Sequence, residues 1–134
     1  MDPRLGKLIL GLSAAGYPLT ELTIRKLGRR GAIITEIVCV GLAARDAAMV
    51  VSGAPARLRR GPALLLWLEL ATAVAATGLG SLRAIDGGAA ERLATRPDAV
   101  EVARRGAVAT LFALHTVRFR IYLQPDSGRK PSAP

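Results

Sequence analysis

The chain is poor in the residues from which most catalytic centres are made. Its 134 residues include one cysteine, Cys39, and one histidine, His115. A lone cysteine excludes an internal disulfide, and no Cys or His pair stands at metal-ligand spacing, so no metal site is expected. Cys39 lies inside an apolar run and reads as a buried, inert thiol. Aromatic side chains make up only 4% of the sequence. That scarcity argues against strands, and the basic–aromatic interleaving of a nucleic-acid surface is missing. A phosphate-cradling loop is missing too. Gly78-Leu79-Gly80 closes an apolar stretch, with neither a GK[ST] nor a strand-turn-helix context. His115 has no nucleophile in a recognisable setting. The reading is therefore not an enzyme, with no catalytic residue assigned.

What is abundant is apolar aliphatic mass and arginine. Half of the chain is hydrophobic, mostly Ala, Leu, Val and Ile, and Ala and Leu favour helices. The net charge is +9. Such a balance would ordinarily point to nucleic acid, but the basic residues cluster at the ends of apolar runs, where membrane proteins place them. Membrane lipids are therefore the preferred partner, and nucleic acid is not expected. Between Arg60 and Arg83 lie twenty-two residues with one charge, Glu69. That is long enough for a helix to cross a bilayer.

Four helical segments can be drawn. The first, Pro3 to Leu27, is expected to bend or break at Tyr17-Pro18, because proline lacks an amide hydrogen and clashes with the preceding turn. It carries Glu21 and Arg25 four apart, a surface pair, and stops at Gly28. It does not end in a good cleavage region, so an uncleaved first helix is expected rather than a signal peptide. The second, Ala32 to about Ser52, holds Glu36, Arg45 and Asp46 on differing faces, with Glu36 and Arg45 nearly opposite. An arginine-rich turn, Arg57-Leu58-Arg59-Arg60, leads to the third, Pro62 to Leu82, with Pro62 in its first turn. Glu69, Ala73, Ala76, Thr77 and Gly80 share one face of it. Small residues there allow close helix approach, while Leu66, Leu70 and Val74 are left to meet lipid. The fourth begins near a Thr95–Asp98 capping box and runs to Leu123, with acids early and Arg118 and Arg120 late, matching the helix dipole. Residues 1–123 form one helical domain, and residues 124–134 read as a disordered tail.

Three sets of residues can carry a function. Glu36, Arg45, Asp46 and Glu69 are charges within apolar segments, costing roughly 2.5 kcal/mol or more each on insertion scales. They mark an ion or proton site, or they hold helices in register, for instance through an Arg45–Glu69 pair; the register role is preferred. Phe112, His115, Phe119 and Tyr122 share a face of the fourth helix. A haem or quinone pocket with His115 as axial ligand is one reading, and a packing face ending in an interfacial aromatic belt is the preferred one. Arg57, Arg59 and Arg60 can bind anionic lipid head groups.

The expectation is an all-α protein, a small three- to four-helix membrane bundle, multi-pass in the cell membrane. It belongs to a homo-oligomer or a larger membrane complex and serves as a non-catalytic accessory or scaffold subunit. The alternatives are a holin-like or transport pore element, and a soluble basic bundle that binds an apolar ligand or a partner protein. Orientation follows from the basic residues. With four spans they tie at nine on each side. If the first segment lies on the surface they divide eleven to seven, with the N-terminus cytoplasmic, and this three-span version is the preferred one.

Overall fold

The computed structural model describes residues 2–85 and 98–124, with side chains described through residue 82 in the first stretch. Six helices make up the described residues: α1 (Pro3–Ala14), α2 (Gly16–Leu27), α3 (Arg29–Val51), α4 (Ala54–Arg57), α5 (Arg60–Ile85) and α6 (Ala99–Leu123). The all-α class stands, but the helix count is six, not three to four. One extra helix comes from the break in the first segment. The other is a single turn, α4, inside the arginine-rich link. The C-terminal tail after Gln124 and the expected Thr95 cap lie outside the described residues.

The break falls at Ala15, three residues before Pro18. Gly16, Tyr17 and Pro18 are thereby the first three residues of α2. The missing amide of Pro18 then sits where a helix has no acceptor to offer. The ladder resumes at once, with Leu19 N–H donating to the Ala15 carbonyl, so α1 and α2 act as one kinked rod. Gly28 ends this rod and starts the next. Its N–H donates to the Ile24 carbonyl, and its own carbonyl accepts from Ala32. A one-residue turn of this kind needs the positive φ of 58° that glycine adopts without a Cβ clash. At the start of α6, Asp98 is the cap. Its backbone is extended and its Oδ1 accepts the Glu101 N–H at 2.8 Å.

Each long helix turns one narrow stripe inward. On α5 the stripe is Leu66, Glu69, Ala73 and Ala76; on α6 it is Glu101, Arg104, Val108, Leu111, His115 and Phe119. Steps of three and four are the seam spacing of packed helices. The α3 stripe, Ala32, Thr35, Cys39 and Asp46, follows the same rhythm. Packing runs in a ring: α2 and α1 form one rod, α2 packs on α3, α3 on α5, α5 on α6, and α6 back on α1. The apolar centre is small, with Cys39, Ala73, Ala76, Val108 and Leu111 at its middle. The expected small-residue face of α5 points inward as read. Leu66 does not meet lipid; it is fully buried, because the stripe includes the position one turn before Glu69.

The outward surface is as apolar as the inward stripe is polar. Every exposed described residue over 8–22, 33–44, 64–82 and 106–117 is uncharged, and Leu8, Leu12, Ile37, Val38, Leu64, Trp67 and Val74 are among them. Among the described residues the exposed charges stand beyond these stretches, at Asp2, Arg4 and Lys7, Arg25 to Arg30, Arg45, Arg57 to Arg60, Asp98 and Arg120. These stretches, free of exposed charge, run for twelve to nineteen residues, about 18–29 Å of helix. Among the described residues one helix, α5, is long and apolar enough by itself to cross a membrane, over Arg60–Leu82, and only 22% of its apolar window is buried inside the bundle.

At Gly31 the backbones of α2 and α3 approach closely, and an added Cβ would run into the backbone of Thr23 and Ile24. Gly41, on the same helix, has nothing within 4 Å of that position. Gly31→Ala is expected to lower stability by about 1–3 kcal/mol through overpacking against rigid backbone. Gly41→Ala should raise it by up to about 1 kcal/mol through helix propensity. Thermal unfolding of the two variants checks the sign of each; equal effects would mean that α2 and α3 do not approach this closely.

Candidate functional site

The buried charges form two layers, one toward each end of the bundle. In the first, Asp46 of α3 and Glu69 of α5 are both fully buried and both face Arg118 of α6. Arg118 Nη1 donates to Asp46 Oδ1 at 3.3 Å and also to Glu69 Oε2. His115, one turn back on α6, meets Glu69 Oε1 through Nδ1 at 2.9 Å. An ionised carboxylate only accepts, so Nδ1 carries the hydrogen of this bond. Asp46 Oδ2 has no hydrogen-bond partner. Two carboxylates thus face one guanidinium and one imidazole, and the four charges sum to zero when the imidazole is protonated.

The second layer lies about 17 Å away along α6, eleven residues before His115. Here Arg104 is 2% exposed and Glu101 1%. Arg104 Nε donates to Glu101 Oε2 at 2.9 Å, and Nη2 donates to Glu101 Oε1 at 2.8 Å and to Glu21 Oε1 at 2.7 Å. Arg105 adds a 2.9 Å bond to Glu101. Glu21 therefore pairs with α6 and not with Arg25 as its spacing suggested. A cross-helix partner held in a buried site prevails over an exposed neighbour that water screens. Glu36 belongs near this end. It is half-buried, accepts the Ser81 hydroxyl at 2.7 Å, and lies against Gly80, where a Cβ would strike its carboxylate.

A pocket of about 500 Å³ opens beside the first layer, where the C-terminal end of α3, the turn α4, the start of α5 and the last turns of α6 meet. Arg45, Met49, Ser52, Ala54, Arg57, Leu58, Pro62, His115, Arg118, Phe119, Ile121 and Tyr122 line it. Phe119 and Tyr122 stack with centroids 6.0 Å apart. Arg57 is held toward α3 by donating Nη1 to the Ser52 carbonyl at 3.2 Å. Arg118 Nη2 faces Met49 Sδ at 3.6 Å.

Of the residues singled out in the sequence, Asp46, Glu69 and His115 come together in one cluster. His115, Phe119 and Tyr122 do share a face, and that face meets the pocket. Phe112 is spatially separate from it and packs against Gly16, where a Cβ would overlap its ring. Arg45 does not pair with Glu69: it is exposed at the pocket, and Glu69 is taken by Arg118 and His115. Arg57 lines the pocket, while Arg59 and Arg60 are exposed on the turn outside its lining. Arg118, Arg104, Glu101 and Glu21 are the residues that sequence reasoning missed as partners. One signal was available: Arg118 follows His115 by three and Arg104 follows Glu101 by three, so each pair shares a face of α6. Among the described residues no group of three His, Cys, Asp or Glu side chains can hold a metal ion.

Removing Arg118 leaves two buried carboxylates facing each other with one imidazole. Arg118→Met is expected to cost about 3–5 kcal/mol, as for a broken buried pair. Combined with Glu69→Gln it should cost clearly less than the sum of the two single changes. Arg45→Ala, which removes only a through-space attraction to Asp46, should cost far less than Arg118→Met. A double-mutant cycle read by thermal unfolding checks this, and strict additivity would show that the pair is not coupled.

Compared with known proteins, the chain matches no family model, no curated protein and no solved structure.

Proposed function

We propose that the chain is a multi-pass membrane protein of four spanning rods, a non-catalytic accessory or scaffold subunit whose buried ionic layers hold its helices in register. One observation carries this reading: the charges are inside and the uncharged belt is outside. A soluble bundle gains its stability by burying Leu, Ile and Val. Here most of those residues are turned outward, while Asp46, Glu69, Glu101 and Arg104 share the interior with a small apolar set that includes Ile24, Leu66, Val108 and Leu111. That distribution suits lipid as the outer solvent. Hydrocarbon tolerates the exposed Ile and Leu, and charged groups within a membrane face the bundle interior and pair with one another. The belt, about 18–29 Å by these lengths, is extended toward a hydrocarbon core of about 30 Å where arginine stems reach along the helices to the two interfaces.

We take the first rod as a fourth span, in place of the three-span expectation; the packing of α1 on α6 and of α2 on α3 supports this reading. With four spans the basic residues tie between the two sides, so loop charge does not set the orientation. The register role rests on the pairing itself. Asp46–Arg118–Glu69 joins α3, α6 and α5 within one chain, and Glu21–Arg104 joins α2 to α6. A pore element would instead keep carboxylates free to line water, and Asp46 and Glu69 are both sealed inside a single subunit. The outward apolar faces of α3 and α5 are then available to lipid or to the helices of a larger assembly.

Alkaline-carbonate treatment of membranes from cells expressing the chain is expected to leave it in the pellet, with mild detergent needed for release. Release into the alkaline supernatant would reject the membrane reading. In reconstituted vesicles neither the parent chain nor Glu69→Gln should conduct ions, and Glu69→Gln should weaken the fold or its assembly. Ion flux that changes with Glu69→Gln would replace the scaffold by a pore.

A further inference from the structure

The pocket at the α4 end is more than a gap between helix ends. Its volume of about 500 Å³ falls within the range of clefts that hold small ligands. Three arginines and a histidine line it, and no carboxylate does. Arg118 has its charge answered from behind by Asp46 and Glu69. Arg45 and Arg57 make no ion pair among the described residues, although Arg45 is attracted through space to Asp46 behind it, and Arg57 is pre-positioned by its bond to the Ser52 carbonyl. Planar guanidinium groups match the oxygens of a phosphate, and they do so with little reorganisation when they are already held. The wall next to them is apolar, with the stacked Phe119 and Tyr122 at the end of α6.

We infer that this pocket binds a phosphate-bearing anionic head group, with an anionic phospholipid of the adjoining leaflet as its source. The phosphate sits between Arg45 and Arg57, and the acyl chains follow the aromatic and aliphatic wall out to the belt. The location agrees with this. Arg57, Arg59 and Arg60 on one side and Arg120 on the other bound the uncharged belt at the same end, which is the level of lipid phosphates in a membrane of that thickness. Interfacial aromatics favour the same level. The inference rests on the membrane reading, because only a membrane brings a two-tailed phosphate to the pocket mouth.

The test is lipid retention by the full chain in mild detergent, measured by native mass spectrometry with phosphatidylglycerol, phosphatidylcholine and free glycerol phosphate as probes. Phosphatidylglycerol is expected to be retained in preference to phosphatidylcholine. Arg45→Ala and Arg57→Ala should each weaken its retention by roughly fivefold, the contribution of one basic residue near an anionic surface. Arg59→Ala, on the same turn but outside the lining, should leave it unchanged, and Arg57→Lys should recover part of the loss. Millimolar glycerol phosphate should not compete, because it lacks the chains that the apolar wall holds. Equal retention of both lipids would overturn the site, as would an equal loss in Arg59→Ala, which would indicate diffuse surface charge. Competition by glycerol phosphate would overturn the lipid as the source. A chain that stays in the carbonate pellet yet shows no lipid preference rejects this site alone. A chain released by carbonate rejects the membrane reading on which it stands.

Discussion

One guanidinium organises this bundle. Arg118 reaches from α6 to a carboxylate on α3 and another on α5. Each of the three charges would be costly alone in a low-dielectric interior, and each offsets much of the cost of the others. The requirement is geometric as well as electrostatic. Two carboxylates on different helices can meet the same fork only at one relative height and rotation of α3, α5 and α6. Arginine suits this better than lysine, because its planar group offers several donors in fixed directions. A shift of one residue along any of the three helices would turn a carboxylate or the guanidinium away from its partners. The second layer repeats the logic at the other end with the roles of the helices changed, Glu21 of α2 meeting Arg104 of α6 beside Glu101.

Between the two layers, packing alone specifies little. Cys39, Ala73, Ala76, Val108 and Leu111 allow the backbones to come close, as small residues do in membrane helix pairs. Small side chains interdigitate shallowly, however, and several registers would fill that space about equally well. The ionic layers remove this degeneracy. They do so with few groups because the helices are long and nearly rigid, so fixing both ends fixes the middle. Gly80 shows the two devices meeting: its missing side chain makes room for the Glu36 carboxylate, which then takes the Ser81 hydroxyl one residue along the same helix.

How much of this could be read from the residues divides by the range of the interaction. Local features were legible: the stop at Gly28, Pro62 in a first turn, the helix end at Leu123, and the small-residue face of α5 that carries Glu69. Each depends on backbone preferences or on spacing within one helix. What was not legible depends on the phase between helices. Arg45 and Arg118 are both arginines near helix ends, and nothing within either segment says which of them turns toward Glu69. The same holds for Leu66, assigned to lipid by its distance from the small residues yet placed in the seam by the three-four rhythm. Glu21 was paired with its nearest sequence neighbour because the arginine eighty-three residues away leaves no trace in the local pattern. The break at Ala15 was displaced from Pro18 for a related reason: the helix begins where the proline amide is not needed, which is three residues upstream.

The pocket follows from the same arrangement. To hold Asp46 and Glu69, the Arg118 side chain must turn into the bundle near the end of α6, and α4 must carry the chain from α3 to α5 around it. A turn that passes around an inward-facing arginine leaves a concavity, and the arginines of that turn line its mouth. Arg118 therefore serves both sides of one wall, as the partner of the buried carboxylates and as the floor of the pocket. Because its charge is neutralised from within, the attraction that an anion in the pocket feels comes mainly from Arg45 and Arg57. Those two are exposed and make no direct bond to the ionic layer, Arg45 acting on Asp46 only through space. A chain built this way separates what holds it together from what it presents at the pocket mouth, although Arg45 and Asp46 are neighbours on α3.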